Sequence, residues 1–142
     1  MTVPLDWLAS RHQAVLVTIR ADGSPQTSNV AYALLDGVAK VSVTHERAKA
    51  QNLRRDPRAV LHVLGDSFWQ YASVRVSAEL GEVSTSPGDE VGRELLALYE
   101  AVSDSQHPDP AEFFDAMVSD RRLVLRLTPL SAVSHGIDGI DS

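Results

Sequence analysis

The 142-residue chain has no cysteine, which excludes disulfides and thiolate chemistry and disfavours a structural zinc site. Its five histidines lack a metal-ligand spacing such as H-E-x-x-H, so we expect no protein-bound metal. Apolar runs are short, so no segment is expected to span a membrane. The first residues have neither the basic start nor the apolar core of a signal peptide, and a cytoplasmic protein is the simpler expectation. G-x-S-x-G, P-loop and G-x-G-x-x-G motifs are also absent.

Positive charge is scarce overall and is concentrated in one segment. The formal net charge is −6, which disfavours binding to a nucleic acid. Residues 47–58 nevertheless contain five basic side chains against one acid, whereas residues 79–115 contain ten acids and one base. An acidic protein with a single basic segment is expected to bind a small anionic ligand rather than a long polyanion.

Hydrophobic periodicity predicts a mainly β domain that spans residues 1–142. Strands are predicted at residues 14–20, 25–35, 38–43, 58–64, 71–84 and 122–129, with an extended segment to residue 137. Helices are predicted at residues 5–13, 46–55, 86–103 and 109–119, with Thr44 capping the second helix and a loose tail from residue 138. Six strands joined mostly as hairpins favour an antiparallel β-barrel with peripheral helices over a doubly wound parallel sheet.

The segment THERAKAQNLRRDPR at residues 44–58 indicates an anion site. In a helix that begins near residue 46, Arg47 and Lys49 lie in the first turn, where free N–H groups and the positive end of the helix dipole point outward. Two fixed cations at a helix N-terminus suit a phosphate group, and Asn52, about one turn further on, offers another donor. A solvated basic helix face is the alternative interpretation.

The segment PQTSNVAY at residues 25–32 carries four successive polar residues in a predicted strand. Such a strand is expected to meet the polar edge of a ligand, because amide and hydroxyl groups pair with ring carbonyl and N–H positions. The alternative is an edge strand that is exposed on both sides.

Aromatic side chains are few, and three of them, Phe68, Trp69 and Tyr71, lie close together. Before a long strand, Trp69 and Tyr71 could stack on a planar ligand or form a wall beside it. The alternative role, an anchor that holds the loop to the core, is the commoner one for such residues.

These segments together resemble the pyridoxamine 5′-phosphate oxidase-like, flavin-binding split barrels. The resemblance rests on a V-L-V-T-I strand, a D-G-x-P turn, Q-T-S-N-V, a strand ending in V-S-V, and R-A-K-x-x-N-L-R-R-D-P-R. The last motif is similar to that of the actinobacterial branch, which uses the deazaflavin coenzyme F420 in place of FMN. The resemblance implies a six-stranded antiparallel split β-barrel that forms a homodimer, with a cofactor in each of the two grooves at the dimer interface.

The resemblance also implies a set of cofactor-binding residues. They are Arg47 and Lys49 for the phosphate, with Asn52 nearby; Gln26, Ser28, Asn29 and Val30 for the ring system; Ser42 and Val43 for the ribityl chain; and Trp69 and Tyr71 from the partner subunit.

The activity that the resemblance implies is hydride transfer between reduced coenzyme F420 and a small organic acceptor. Three alternatives remain open: an FMN-dependent enzyme of the same fold, a dimer that binds a flavin or haem without turnover, and a structural dimer with a decayed site. No residue stands out as catalytic, and Tyr32, Tyr71 and His45 are the only side chains worth naming as proton donors. The sequence does not identify the acceptor.

Overall fold

The computed structural model describes residues 2–137, which form seven β-strands and four helices. The predicted loose tail from residue 138 lies outside this range. The strands are β1 (Gln13–Ile19), β2 (Pro25–Ala31), β3 (Ala33–Leu35), β4 (Val38–Thr44), β5 (Arg58–Leu64), β6 (Tyr71–Leu80) and β7 (Arg122–His135). The helices are α1 (Leu5–Ala9), α2 (Ala48–Arg55), α3 (Glu90–Ser103) and α4 (Pro110–Ser119). None of the helices in this range is long and apolar enough to cross a membrane.

The strands form one antiparallel sheet in the order β2-β1-β5-β6-β7-β4-β3. Its two outermost strands, β2 and β3, are consecutive in the chain and are separated only by Tyr32. The sheet must therefore curl until β2 approaches β4, and within residues 2–137 no ladder closes the gap between these two strands. The predicted antiparallel split barrel is confirmed.

The barrel has seven strands rather than the predicted six, because the predicted strand 25–35 is divided at Tyr32. The Tyr32 side chain is wholly buried, and its hydroxyl donates to the carbonyl oxygen of Leu8 over 2.7 Å. Its backbone N–H donates to the carbonyl oxygen of His12. These contacts pull the chain inward, so β2 pairs with β1 whereas β3 pairs with β4.

The core lies inside the curled sheet, on the face formed by alternate strand residues. Leu16, Leu61, Val74 and Leu125 are among its fully buried side chains. Helix α2 contributes Ala50 and Leu53 to the same cluster. The Asp36-Gly37 turn that joins β3 to β4 has positive φ at both residues, 54° and 78°, as the right-handed twist of a tight hairpin requires.

The helical hairpin of α3 and α4 covers the outer side of β4 and β7. Leu95 and Phe113 pack there against Val124 in a second, smaller cluster. Glu94 of α3 forms ion pairs with Lys40 of β4 and Arg126 of β7. These charged contacts fix the helical hairpin at the edge of the split.

Another part of the outer sheet surface stays accessible. The register places Asn29, Val15, His62, Ser73 and Val133 in one row across β2, β1, β5, β6 and β7. Residues directly opposite one another in a sheet lie on the same face. Val133 is 56% exposed. Leu64, which lies in the next row on the same face, is 51% exposed. We call this surface the outer sheet face.

Several predicted boundaries were wrong. Helix α1 ends at Ala9 rather than residue 13, because the chain from Gln13 pairs with β2. Helix α2 begins at Ala48, and its N-cap is Arg47 in an extended conformation rather than Thr44.

Three further boundaries differ from the prediction. Strand β6 ends at Leu80. Helix α3 begins at Glu90, because the Asp89 carboxylate accepts the N–H of Gly92 over 2.7 Å. Strand β7 continues to His135 because it pairs with β6 along its length.

Candidate functional site

A cavity of about 600 Å³ lies at the split of the barrel. One wall is β2, through Asn29, Val30 and Ala31, and the facing wall is β4, from Val41 to Thr44. The start of α2, the helical hairpin and the start of β7 complete the lining. The volume falls within the range of about 300–1,000 Å³ that is usual for small-molecule sites.

Three cationic side chains line this cavity: Arg47, Lys49 and Arg122. Arg47 is the N-cap of α2, and Lys49 belongs to its first turn. Arg122 is the first residue of β7 and stands directly opposite Thr44 of β4. The sheet register therefore brings a residue from late in the chain to the predicted pair.

The charges at this end of the cavity repel one another. The pKa of Lys49 lies below its ordinary value, first because the amine is partly buried and then because Arg47 and Arg122 are positively charged. Asp120 is the single carboxylate among the described lining residues. This end of the cavity is suited to an anion.

The helical hairpin contributes an apolar wall to the cavity. Its lining residues from the helical hairpin are Leu95, Leu98, Tyr99, Val102, Phe113 and Met117. Tyr99 is 39% exposed, and its ring packs against those of His107 and Phe113 at centroid distances of 5.0 and 5.6 Å. A charged end and an apolar wall are what a ligand with an anionic group and a ring system requires.

Sequence reasoning missed Arg122 and Tyr99 as lining residues. Arg122 lacks a local signal, because only the pairing of β4 with β7 places it beside Ser42. Tyr99 follows Leu98 on the predicted helix, next to its apolar stripe, and could have been found from that position.

The structure brings six of the predicted cofactor-binding residues to this cavity. They are Asn29, Val30, Ser42, Val43, Arg47 and Lys49. The remaining five, Gln26, Ser28, Asn52, Trp69 and Tyr71, are not among its lining residues. All these cofactor-binding roles stay predictions.

Gln26, Ser28 and Asn52 lie on the inner side of β2 or against it. The register places Ser28 opposite the buried Leu16 and Gln26 opposite the buried Thr18. The Asn52 amide nitrogen donates to Gln26 Oε1 and Thr18 Oγ1, each over 3.0 Å. The Asn52 amide therefore holds α2 against β1 and β2.

Trp69 and Tyr71 lie at or near the outer sheet face. Trp69 is 69% exposed, and Tyr71 stacks on His135 with 6.0 Å between ring centroids. A second cavity of about 820 Å³ opens on this face, beside His62 and Arg11. It shares Asn29, Val30 and Ala31 with the cavity at the split, so β2 lies between the two.

The named proton-donor candidates differ in access. Burial raises the pKa of Tyr32, whose hydroxyl donates to the backbone carbonyl of Leu8, and Tyr32 does not line the cavity. The Nδ1 atom of His45 is hydrogen-bonded to the Arg54 guanidinium, and His45 does not line the cavity. Tyr71 lies on the outer sheet face, as described above. Within residues 2–137 no group of three or more metal-ligating side chains is present.

The fold and the cavity define a class: a split β-barrel with a cation-lined cavity at its split. Residues 5–134 match the family model described as pyridoxamine 5′-phosphate oxidase. The chain belongs to that family.

Solved structures with the same fold have different cofactors in their names. An F420 reductase is 21% identical with a TM-score of 0.69, covering 94% of this chain and 98% of its own. The haem storage protein HutZ from Vibrio cholerae is 16% identical with a TM-score of 0.66, covering 92% and 91%. An FMN-binding, pyridoxamine 5′-phosphate oxidase-related protein from Nostoc punctiforme is 15% identical with a TM-score of 0.62, covering 90% and 75%. At such identities the likeness shows the fold alone.

Proposed function

We propose that the protein is an oxidoreductase that uses coenzyme F420 and transfers a hydride between the reduced cofactor and a small organic acceptor. The observation that carries this proposal is the convergence of Arg47, Lys49 and Arg122 on a cavity that is also lined by apolar side chains of the helical hairpin. The R-A-K-x-x-N-L-R-R-D-P-R motif supports the deazaflavin rather than FMN, by its resemblance to that branch.

The residues present fit such a cofactor in charge and in space. Arg47 and Lys49 suit the phosphate, because a guanidinium offers a forked set of donors and an ammonium a point charge. Asn29, exposed on β2, offers an amide that can both donate to and accept from a ring edge. Val30 and Val43 contribute apolar side chains to the lining of the same cavity.

When bound, a deazaflavin supplies two-electron hydride chemistry. The chain's own residues would bind and orient it and exclude water. Arg47 and Lys49 would hold the phosphate, whereas the half-exposed Tyr99 and the buried Phe113 would shield the adjoining space from solvent. An apolar wall strengthens the electrostatic contacts inside the site, because it lowers the local dielectric constant.

The proposed active form is a homodimer. Leu64 and Val133 of the outer sheet face, and Phe68 and Trp69 of the loop between β5 and β6, are apolar or aromatic side chains that are each more than half exposed. Exposed apolar patches of this kind mark interaction surfaces. Within one chain Trp69 and Tyr71 lie away from the cavity at the split, so they could meet a cofactor only from a second copy. A two-fold axis would use the same face on both copies.

The test is a fluorescence titration of the purified protein with F420 and, separately, with FMN at moderate salt. We expect F420 to bind tightly and FMN weakly. The reverse order would move the protein to the FMN-dependent alternative, and binding of neither cofactor would overturn the proposal.

The double variant Arg47→Ala/Lys49→Ala tests the phosphate site. We expect it to lose at least about 100-fold in cofactor affinity, because two charge-assisted contacts are removed. Its melting temperature should stay close to that of the wild type, since Arg47 is exposed and Lys49 is half-buried. The matched control, Arg20→Ala/Arg93→Ala, removes the same charge from exposed positions outside the cavity lining and should bind normally. Unchanged affinity in the first variant would contradict the site.

A further inference from the structure

Arg122 lines the cavity, and its guanidinium makes only long hydrogen bonds to the rest of the protein. Its Nη1 donates to the hydroxyl of Ser42 over 3.3 Å and to the Ser42 carbonyl oxygen over 3.5 Å. Both distances are long for hydrogen bonds of a charged donor, which average about 2.8 Å. The Arg122 side chain is 32% exposed, yet its Nε is buried without a hydrogen-bond partner.

The nearest carboxylate does not complete this arrangement. Asp120 Oδ2 lies 3.7 Å from Arg122 Nε, which is an ion-pair distance but too long for a hydrogen bond. The Asp120 side chain is also 52% exposed, so water screens its charge. Guanidinium donors are thus left unused at the lining of the cavity.

The charge balance of the cavity also indicates that these donors lack an anionic partner. Its described lining contains the cations Arg47, Lys49 and Arg122 and the single carboxylate of Asp120. The positive charge of Arg122 contributes to the lowered pKa of Lys49. Placing like charges together costs free energy unless an anion lies between them.

We propose that Arg122 is a third direct ligand of the anionic group, contributed by β7 beside the start of α2. This inference rests on the proposed cofactor site and adds a residue to it. The binding cradle then combines an N-cap residue, a first-turn residue and a strand residue. The anion joins α2 to the β4–β7 ladder.

A purely structural role for Arg122 makes a different prediction. In that role its contact with Ser42 would hold β4 against β7, and its loss would disturb every ligand of the cavity alike. A direct contact with the anion affects only ligands that carry one. Matched ligands with and without the phosphate therefore separate the two roles.

The experiment compares FMN with riboflavin, and F420 with its phosphate-free deazaflavin nucleoside, by fluorescence titration. The proteins are the wild type, Arg122→Gln, Arg122→Lys and the control Arg93→Gln, which removes one charge from an exposed position on α3. We expect Arg122→Gln to bind the phosphorylated member of the preferred pair roughly 10- to 100-fold more weakly, the size of one lost charge-assisted contact, and the phosphate-free member unchanged. Arg93→Gln should match the wild type.

Arg122→Lys keeps the charge and is expected to show a smaller loss that is again confined to the phosphorylated member. It decides the question if Arg122→Gln does not fold. Equal weakening of both members, or normal binding of the phosphorylated one, would overturn the role of Arg122 while leaving the cofactor site in place. Failure of the wild type to bind any of the four ligands would overturn the proposed function as well.

Discussion

Asn52 shows how a single polar side chain joins three elements. It is 6% exposed, donates to Thr18 of β1 and Gln26 of β2, and accepts from Arg55 of its own helix over 2.9 Å. Thr18 is fully buried, so its hydroxyl has no water to replace a lost partner. Buried polar groups are costly when unpaired, which gives this amide a large influence on stability.

We expect Asn52→Leu to lower the free energy of unfolding by about 1–3 kcal/mol, because Thr18 and Gln26 lose their donor inside the protein. Urea denaturation measures the change. The control is Gln51→Ala, at an exposed position on the same helix, which should stay within about 0.5 kcal/mol of the wild type. An equally small effect at Asn52 would show that its network adds nothing to stability.

Among the helices, α3 has the best-defined start, and that start depends on Asp89. Burial opposes ionisation of this carboxyl, but N–H donors from Thr85, Gly92 and Ser86 and the hydroxyl of Ser84 outweigh it and lower its pKa to about 2. Helix α3 in turn supplies Tyr99 and Leu98 to the cavity wall. The cap therefore supports the candidate site from a distance.

Asp89→Ala should lower the free energy of unfolding by about 0.5–2 kcal/mol at neutral pH, the usual effect of removing an N-cap. Because the folded-state pKa is lowered from 3.8 to about 2, this contribution is fully present above pH 3.8 and decreases as the pH falls towards 2. Denaturation of both proteins between pH 7 and pH 3 measures the difference. Asp115→Ala, at an exposed position on α4, is the control. A difference that grew on acidification would contradict the assignment.

At the scale of the whole molecule, the outer sheet face is the surface on which the proposed dimer depends. Half-buried valines, His62 and Tyr71 continue across β1, β5 and β6 towards Val133. The proposed homodimer would cover this apolar surface with a second copy.

Val133→Glu is expected to convert the proposed dimer into a monomer, because it places two carboxylates at a self-complementary interface. Sedimentation velocity measures the mass, and cofactor titration should show weakened binding in the monomer. Ala97→Glu, on the exposed side of α3, should remain dimeric. A wild-type monomer, or a dimeric Val133→Glu protein, would contradict the proposed interface.

The sequence by itself determined the features that depend on neighbouring residues. Alternation located β1, β4 and β5 to within about a residue, because a period-two pattern directly reports which strand face is buried. The Asp36-Gly37 turn was predictable because few residue pairs accept positive φ at both positions. The pair Arg47 and Lys49 was predictable because both belong to one helix start.

Only the tertiary structure decided the rest. The break at Tyr32 depends on a hydrogen bond to Leu8, which lies 24 residues away. Arg122 reaches Ser42 across 80 residues of sequence, and Asn52 reaches Thr18 across 34. Sheet register and burial set these contacts, and neither is encoded in the spacing of adjacent residues. For the same reason the sequence located Arg47 and Lys49 at the cationic end of the cavity, whereas only the pairing of β4 with β7 added Arg122.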